Sequence, residues 1–342
     1  MRALVTGSRG FLGAMVVRAL LSRGDTAIGF DTQVRQGGAA DSRLVQVTGD
    51  ITDAKQVTQT VAAHAPDAVI HCAAIVSVLS SVDNPIQIVR VNIEGSLNVF
   101  EAMRLGKVKR CIHISSEEAY GAFRADKIDE THPLEPVMPY GICKAAVEQF
   151  GRTYRDLHGL EVINLRASWV YGPGLPRSRI PKNLIDAALA GRKLHIASGA
   201  GSAIDHTYID DAVAAILAAL DHKHHHYDAY NVGSGVAVSV SELVAIVREL
   251  VPGAELSVGP GPYRHGDRIE VVKKGALNVS RAIGDVERTA GAHRRRILET
   301  AGTAGVLRIE EHRLPCVRVP APGLRRTAPA PHPGAGLSRA RW

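Results

Sequence analysis

The chain has 342 residues, enough for one large α/β unit or two modest domains, and its apolar share of 45% is ordinary for a globular protein. No apolar run reaches the roughly 20 residues of a bilayer span and the start lacks a secretion signal's apolar core, so a cytoplasmic protein with no membrane partner is expected. The net charge of +7 does not mark a nucleic-acid binder, because ten Arg and three Glu between residues 293 and 342 account for all of it.

The predicted elements alternate. Arg2–Thr6 reads as a strand, Phe11–Ser22 as a helix ending at Gly24, Thr26–Asp31 and Leu44–Val47 as strands, and Asp53–His64 as a helix. Ala68–His71 is a strand, Pro85–Leu105 a long helix, Val108–Ser115 a strand, Tyr140–His158 a helix and Val162–Ala167 a strand. Dense, unalternating strands between helices imply βαβ units and a doubly wound parallel sheet of the α/β class. From Tyr171 the pattern changes. Gly172, Pro173, Gly174, Pro176 and Pro181 mark loops, and helices follow near Asn183–Ala190, Asp210–Leu220 and Ser239–Leu250. After about Val286 periodicity fails, and the Ala/Pro/Arg-rich remainder reads either as a disordered basic tail or as the product of a shifted reading frame.

The first motif with chemistry is Thr6-Gly7-Ser8-Arg9-Gly10-Phe11-Leu12-Gly13, placed between a strand and a helix. Gly7 permits the tight turn, Gly10 lets backbone approach a pyrophosphate, and Gly13 allows close helix–strand packing, while the helix N-terminus offers free N–H groups. Arg9, Phe11 and Leu12 lie in the same cofactor-facing stretch. Asp31 ends the second strand, 18 residues beyond Gly13, where a carboxylate accepts hydrogen bonds from adenosine ribose hydroxyls and repels a 2′-phosphate. NAD is therefore expected over NADP, against the small counter-argument of Arg35. Asp50 and Ile51 follow the third strand, where the adenine belongs.

Tyr140 and Lys144 stand four residues apart and share a helix face. An ammonium beside a phenol favours the phenolate, which makes Tyr140 an acid/base near neutral pH. Ser116, just past the strand Val108–Ser115, is at the sheet's carboxyl edge and can bond a substrate oxygen, and Glu118 beside it can act as a base.

These motifs together resemble the extended short-chain dehydrogenase/reductase family, in its NAD-dependent epimerase/dehydratase group. The resemblance runs from Met1 to about Val286 and also takes in GDITD (49–53), HCAA (71–74), VNIEG (91–95), SSEEAYG (115–121), LRASWVYGPG (165–174), HTYIDD (206–211), YNVGSG (230–235) and YRHGD (263–267). It implies a Rossmann-type sheet with NAD at its carboxyl edge and a smaller substrate-binding part. Residues 1–170 would form the cofactor domain, with return elements near 203–250, residues 171–290 most of the substrate part, and residues 291–342 the tail. Tyr140 is implied as the acid/base, Lys144 as the ribose ligand that tunes it, and Ser116 as its partner on the substrate oxygen. Ala73 and Ala74 would pack along the cofactor, with Asn92 supporting their loop. A homodimer through the helices Pro85–Leu105 and Tyr140–His158 is implied as well.

The resemblance makes a nucleotide-sugar epimerase like UDP-glucose 4-epimerase the leading expectation, with Ser77, Ser116, Trp169 and Arg264 as substrate contacts. Trp169 replaces the asparagine usual before V-Y-G-P, and Ile204 an arginine that pairs with a diphosphate, while Arg264 is placed to bind one phosphate. Glu118 stands where sugar dehydratases keep an eliminating glutamate, with Glu117 beside it. A dehydratase, a dehydrogenase of a non-nucleotide sugar acid or polyol, and a non-catalytic binding protein are the alternatives. Four scattered cysteines form no redox or zinc motif, and the cluster His222, His224, His225 and His226 has no carboxylate or thiol to complete a ligand set, so no metal is expected.

Overall fold

The computed structural model describes residues 1–33, 41–265 and 268–289; Arg35, Asp267 and everything from residue 290 onward, the basic tail included, lie outside the described residues. Strand β1 (Arg2–Thr6) runs into helix α1 (Phe11–Ser22), followed by β2 (Thr26–Asp31), β3 (Leu44–Thr48), α2 (Ala54–His64) and β4 (Ala68–His71). Asp53 caps α2, accepting a hydrogen bond from the Gln56 N–H. Next come α3 (Val78–Asp83), α4 (Pro85–Val89), α5 (Gly95–Leu105), β5 (Arg110–Ser116), β6 (Lys127–Ile128), α6 (Pro139–His158) and β7 (Glu161–Ala167). The second half adds β8 (Trp169–Tyr171), α7 (Lys182–Leu189), β9 (Leu194–Ile196), β10 (Ala203–Tyr208), α8 (Ile209–Asp221), β11 (Ala229–Val232), β12 (Ala237–Ser239), α9 (Val240–Leu250) and β13 (Leu256–Val258).

Seven strands pair in parallel in the order β11-β7-β5-β4-β1-β2-β3. The order reverses between β1 and β4, which is the switch point of a Rossmann sheet. Val, Ile and Leu fill these strands because both faces are covered. On one face Val16 and Leu20 of α1 and Ile216 and Leu220 of α8 pack on Val5, Ile70 and Ile112. On the other, Val57 and Val61 of α2, Phe100 and Met103 of α5 and Val147 of α6 cover Leu4, Ile28 and Val69. Each such fully buried side chain is worth about 1.5–3 kcal/mol relative to exposure. A separate core joins Trp169, Leu184, Ile204, Leu243 and Val247.

The expected single helix Pro85–Leu105 is in fact interrupted: a π-helical turn at Arg90–Glu94 lies between α4 and α5. The irregular turn carries Asn92 into the interior, where its Oδ1 accepts from the Ile75 N–H at 2.8 Å and its Nδ2 donates to the Ile75 carbonyl at 2.9 Å. Periodicity cannot reveal this, because the turn exists to satisfy a loop from another part of the chain.

Helix α6 is fastened to the sheet by a charged pair in the interior. Glu148 and Arg166 are 0% and 3% exposed and meet at 2.6 Å. Arg166 Nε and Nη2 address both carboxylate oxygens, and Ser115 Oγ donates to Glu148 at 2.6 Å. Arg166 Nη1 donates to Tyr120 Oη at 2.9 Å, and that hydroxyl donates to Asn231 at 2.7 Å. Substituting Glu148→Gln strands the Arg166 charge, and a destabilisation of about 3–5 kcal/mol is expected in urea unfolding. A loss under about 1 kcal/mol would show that the pair does not hold α6 in place.

Candidate active site

The glycine-rich loop follows β1. Gly7 adopts φ +67, and a Cβ there would meet the Ala73 backbone nitrogen at 2.7 Å. A Cβ on Gly13 would meet the Gly7 carbonyl at 2.1 Å, so α1 lies directly against the loop. Gly10 is the N-cap of α1 and supplies no side-chain acceptor, which leaves the first-turn amides directed outward. The Asp31 carboxylate, at the end of β2, accepts from the Arg9 N–H at 2.9 Å and the Gln33 N–H at 3.1 Å. The Arg9 guanidinium reaches Gln46 on β3. Phe11 and Leu12 are half-buried in the first turn of α1. Asp50 is exposed and turns the chain by accepting from the Thr52 N–H, whereas Ile51 is buried against Gly95.

Beyond β4, Ala73 donates its N–H to Thr6 Oγ1 at 3.2 Å, and Ala74 follows in the half-buried loop that Asn92 secures through Ile75. His71 lies beneath, bonded to Thr6 Oγ1 at 2.7 Å and Ser96 Oγ at 2.9 Å. Ser77 spends its hydroxyl as the N-cap of α3, accepting from the Ser80 N–H at 3.1 Å.

Tyr140 and Lys144 lie in the first turns of α6 and are both buried. Ser116, at the end of β5, accepts from the Glu118 N–H at 3.2 Å, and its hydroxyl favours the charged form of the Tyr140 phenol. Lys144 Nζ is 5.8 Å from the Tyr140 ring centroid and donates to the Ile114 carbonyl at 2.6 Å. Here the structure corrects the sequence reading. The Tyr140 pKa is raised, since burial outweighs the opposing pull of Arg177, the Ser116 hydrogen bond and Arg179. The ammonium of Lys144 is itself weakened by burial, to about 8.

The wall beyond Tyr140 is charged and enclosed. Glu118 faces Lys274 at 3.3 Å, and Lys274 also donates to the Gly121 carbonyl at 3.1 Å. Glu117 is 1% exposed with no hydrogen-bond partner among the described residues, and burial raises its carboxyl to about 8. Trp169 is fully buried, with Arg179 Cζ 3.9 Å over its ring and His265 stacked at 5.6 Å. His206 stands edge-on to the same indole at 6.0 Å. Arg264 is not brought to this wall; it is exposed on β14 (Arg264–His265), facing Glu270 at 3.5 Å.

A strand–glycine loop–helix unit, an acid at the end of β2, and a Ser–Tyr–Lys group at the carboxyl edge of one parallel sheet make up a dinucleotide-dependent oxidoreductase site. Residues 3–233 match the NAD dependent epimerase/dehydratase family. The chain belongs to that family. The UDP-glucose 4-epimerase of Mycolicibacterium smegmatis is 31% identical over 293 residues, covering 82% of this chain and 91% of that protein. The dTDP-glucose 4,6-dehydratase of Xanthomonas campestris pv. campestris is 32% identical over 268 residues, 72% of this chain and 75% of that protein. The crystal structure of the Thermus thermophilus UDP-glucose 4-epimerase in complex with NAD matches with a TM-score of 0.73 at 28% identity, covering 85% of this chain and 100% of that one. NAD is the cofactor of the family, and the cradle fits it: at Gly7 and Gly13 the backbone stands where a Cβ would collide, the first turn of α1 has no side-chain cap, and the Asp31 carboxylate closes β2 beside the loop, bonded to the Arg9 N–H.

Sequence reasoning missed Arg177, Arg179 and Lys274 and gave His206, the first residue of HTYIDD, no role. The first three sit in loops without periodicity, and only the Arg-Ser-Arg triplet after the Gly/Pro-rich turn signals two of them.

The buried imidazoles set the acid response. Desolvation lowers His71 and His206 to about 3 and His113 well below its ordinary value. All three are neutral when folded and protonate near pH 6.5 when unfolded, so the unfolded chain binds more protons from pH 6.5 downward. Glu117, raised to about 8, opposes with one proton. Net stability falls as pH drops from 6.5, and unfolding at pH 5.5 is expected to take up more than one proton. A flat profile of unfolding free energy between pH 7 and 5.5 would contradict the neutral histidines.

Proposed function

We propose that the chain is a nucleotide-sugar epimerase resembling UDP-glucose 4-epimerase, with Tyr140 as acid/base, Ser116 as its partner on the substrate oxygen and Lys144 as the cation behind them. The cofactor, held by the glycine loop, would supply a hydride acceptor for the carbinol carbon and then a hydride donor to the opposite face of the resulting carbonyl, which inverts that carbon. Tyr140 receives the proton of the sugar hydroxyl as that carbon is oxidised and gives it back to the carbonyl oxygen afterwards. Ser116 holds the same oxygen in line, and the bond of Lys144 to the Ile114 carbonyl fixes the ammonium behind the phenol. Gly7, Gly10 and Gly13 admit the pyrophosphate, with Arg9, Phe11 and Leu12 in the loop around it. Asp31 takes the ribose, Asp50 and Ile51 flank the adenine, and Ala73 and Ala74 line the nicotinamide side. Trp169 forms the floor of the sugar pocket. The observation that carries this reading is the placement of Ser116 at the carboxyl end of β5 with the buried Tyr140 and Lys144 opening α6, beside the glycine loop. The 31% identical M. smegmatis epimerase supports it.

A dehydratase is the second reading, and it rests on Glu118 and Glu117 facing the same crevice. The 3.3 Å pairing of Glu118 with Lys274 weighs against it, since that carboxylate already has a partner within the protein.

Exposed Ile86, Val89, Ile142, Phe150 and Leu157 on α4 and α6 support a homodimer through these helices. Light scattering is expected to give twice the chain mass for wild type and the single mass for Phe150→Asp; a monomeric wild type would end the dimer proposal.

Tyr140→Phe is expected to cut kcat by about 10²–10⁴-fold while calorimetry shows unchanged NAD affinity. Lost NAD binding would sink the role given to Tyr140. Mass spectrometry of wild-type products decides the reaction: unchanged mass with shifted retention means epimerisation, loss of water a dehydratase, and loss of two hydrogens a dehydrogenase.

A further inference from the structure

Three stretches around the cradle meet on one buried imidazole. Thr6 closes β1 and leads into the glycine turn, Ala73 lies in the loop after β4, and Asn92 stands in the π-helical turn. His71, the last residue of β4, lies between them, and the side chains of Thr6, His71, Asn92 and Ser96 are all buried. Each hydrogen in this group has a determined place. Ser96 Oγ stands 2.6 Å from the Asn92 carbonyl oxygen, which has no hydrogen of its own, so the Ser96 hydrogen lies in that contact. The 2.9 Å contact between Ser96 Oγ and His71 Nε2 then requires a hydrogen on the ring nitrogen. Burial keeps the ring neutral, with a pKa lowered to about 3, so Nδ1 carries none. Thr6 Oγ1, 2.7 Å from Nδ1, therefore donates to it and receives the Ala73 N–H at 3.2 Å. The chain has one direction: Ala73 N–H to Thr6, Thr6 to His71, His71 to Ser96, and Ser96 to the Asn92 carbonyl. The Asn92 side chain in turn holds both backbone groups of Ile75. Residues 73 to 75 are thus fastened at both ends by one circuit of buried side chains.

The sheet order shows which half of a dinucleotide this circuit serves. Strand β4 lies between β1, which leads into the glycine turn, and β5, which ends at Ser116, whereas Asp31 ends β2 on the far side of β1. Ala73 is so near the glycine turn that a Cβ on Gly7 would meet its backbone nitrogen at 2.7 Å. With the pyrophosphate on the glycine turn and the adenosine toward Asp31, the half that reaches toward Tyr140 passes the Ala73–Ile75 loop. We infer that His71 is a positioning residue for the nicotinamide: its Nε2–H tautomer, set by Ser96, directs the Thr6 hydroxyl so that Thr6 holds Ala73 and fixes the loop beside the reactive ring. His71 is 1% exposed and acts only through these neighbours. The inference rests on the cofactor placement proposed above and not on the identity of the sugar, so a different reaction would leave it intact.

Titration calorimetry of the full chain, dialysed free of nucleotide, tests it with NAD and ADP-ribose as probes, because ADP-ribose is NAD without the nicotinamide. Thr6→Val keeps the shape of the side chain and removes the hydroxyl, which leaves the Ala73 N–H and His71 Nδ1 without partners. It is expected to weaken NAD about tenfold or more and ADP-ribose by less than about twofold, and Thr6→Ser, which restores the hydroxyl, to recover NAD affinity to within about threefold of wild type. A purely structural role would lower the unfolding temperature and leave the ratio of the two affinities unchanged, and that result overturns the inference. Equal loss of both probes would assign Thr6 to the pyrophosphate turn and overturn it as well. The direction of the chain has a test of its own, which also decides the question if Thr6→Val does not fold. His71→Asn sets an acceptor oxygen near the place of Nδ1, and His71→Gln sets an amide nitrogen near that of Nε2. The Asn variant is expected to bind NAD about fivefold or more tighter than the Gln variant, with ADP-ribose bound alike by both. Equal NAD affinities, or the reverse order, overturn the role given to the tautomer. A wild type that binds neither probe would overturn the cradle and this inference with it.

Discussion

The bidentate contact between Glu148 and Arg166 is the constraint on which the site's geometry depends. It joins the middle of α6 to β7 and, through Ser115, to the end of β5. Tyr140 and Lys144 are carried by α6, and Ser116 is the residue next to Ser115. The relation between the phenol and the hydroxyl is thus set by an interaction that touches neither. A buried ion pair is a poor source of net stability, because desolvation consumes most of its attraction. Its value here is directional: a planar guanidinium bonded to both oxygens of a carboxylate admits one orientation, where an apolar contact would admit several. Arg166 extends that orientation to Tyr120 and Asn231, so the glutamate-bearing turn Glu117–Tyr120 is located by the same network.

The second organising feature is the separation of charge states along the crevice. Two adjacent glutamates have opposite surroundings: Glu118 has an ammonium at 3.3 Å, and Glu117 has burial and no partner among the described residues. Near them Arg177 and Arg179 are half-buried and retain their charges. Acid, base and cation are thereby distinguished by position alone, on residues of only two types.

Much of the fold was legible because the strands are buried on both faces and the helices on one. Arg2–Thr6, Phe11–Ser22, Thr26–Asp31 and Ala68–His71 were readable to the residue, since each is a continuous apolar run or an amphipathic period closed by glycine, aspartate or histidine. The glycine loop and the Tyr140/Lys144 pair were legible for a different reason, as local spacing with a local meaning. What escaped depends on partners far along the chain. The π-helical turn serves Ile75, 17 residues away, and Lys274 meets Glu118 across 156 residues. The sign of the Tyr140 shift was misread for the same reason: spacing shows the neighbouring lysine, while burial is a property of the assembled crevice.

The edge strand Ala229–Val232 supplies Asn231, which takes the Tyr120 hydroxyl as an acceptor and gives its amide to the Asn278 carbonyl at 3.1 Å. Lys274 and Leu277 then seat against Glu118 and Asp205. A chain emerging from the ribosome thus presents its nucleotide cradle early, from the first 75 residues, but cannot close the wall around the glutamates until some 200 more have been made. The order of translation thus separates the two halves of the site, the dinucleotide cradle coming before the wall that closes its flank.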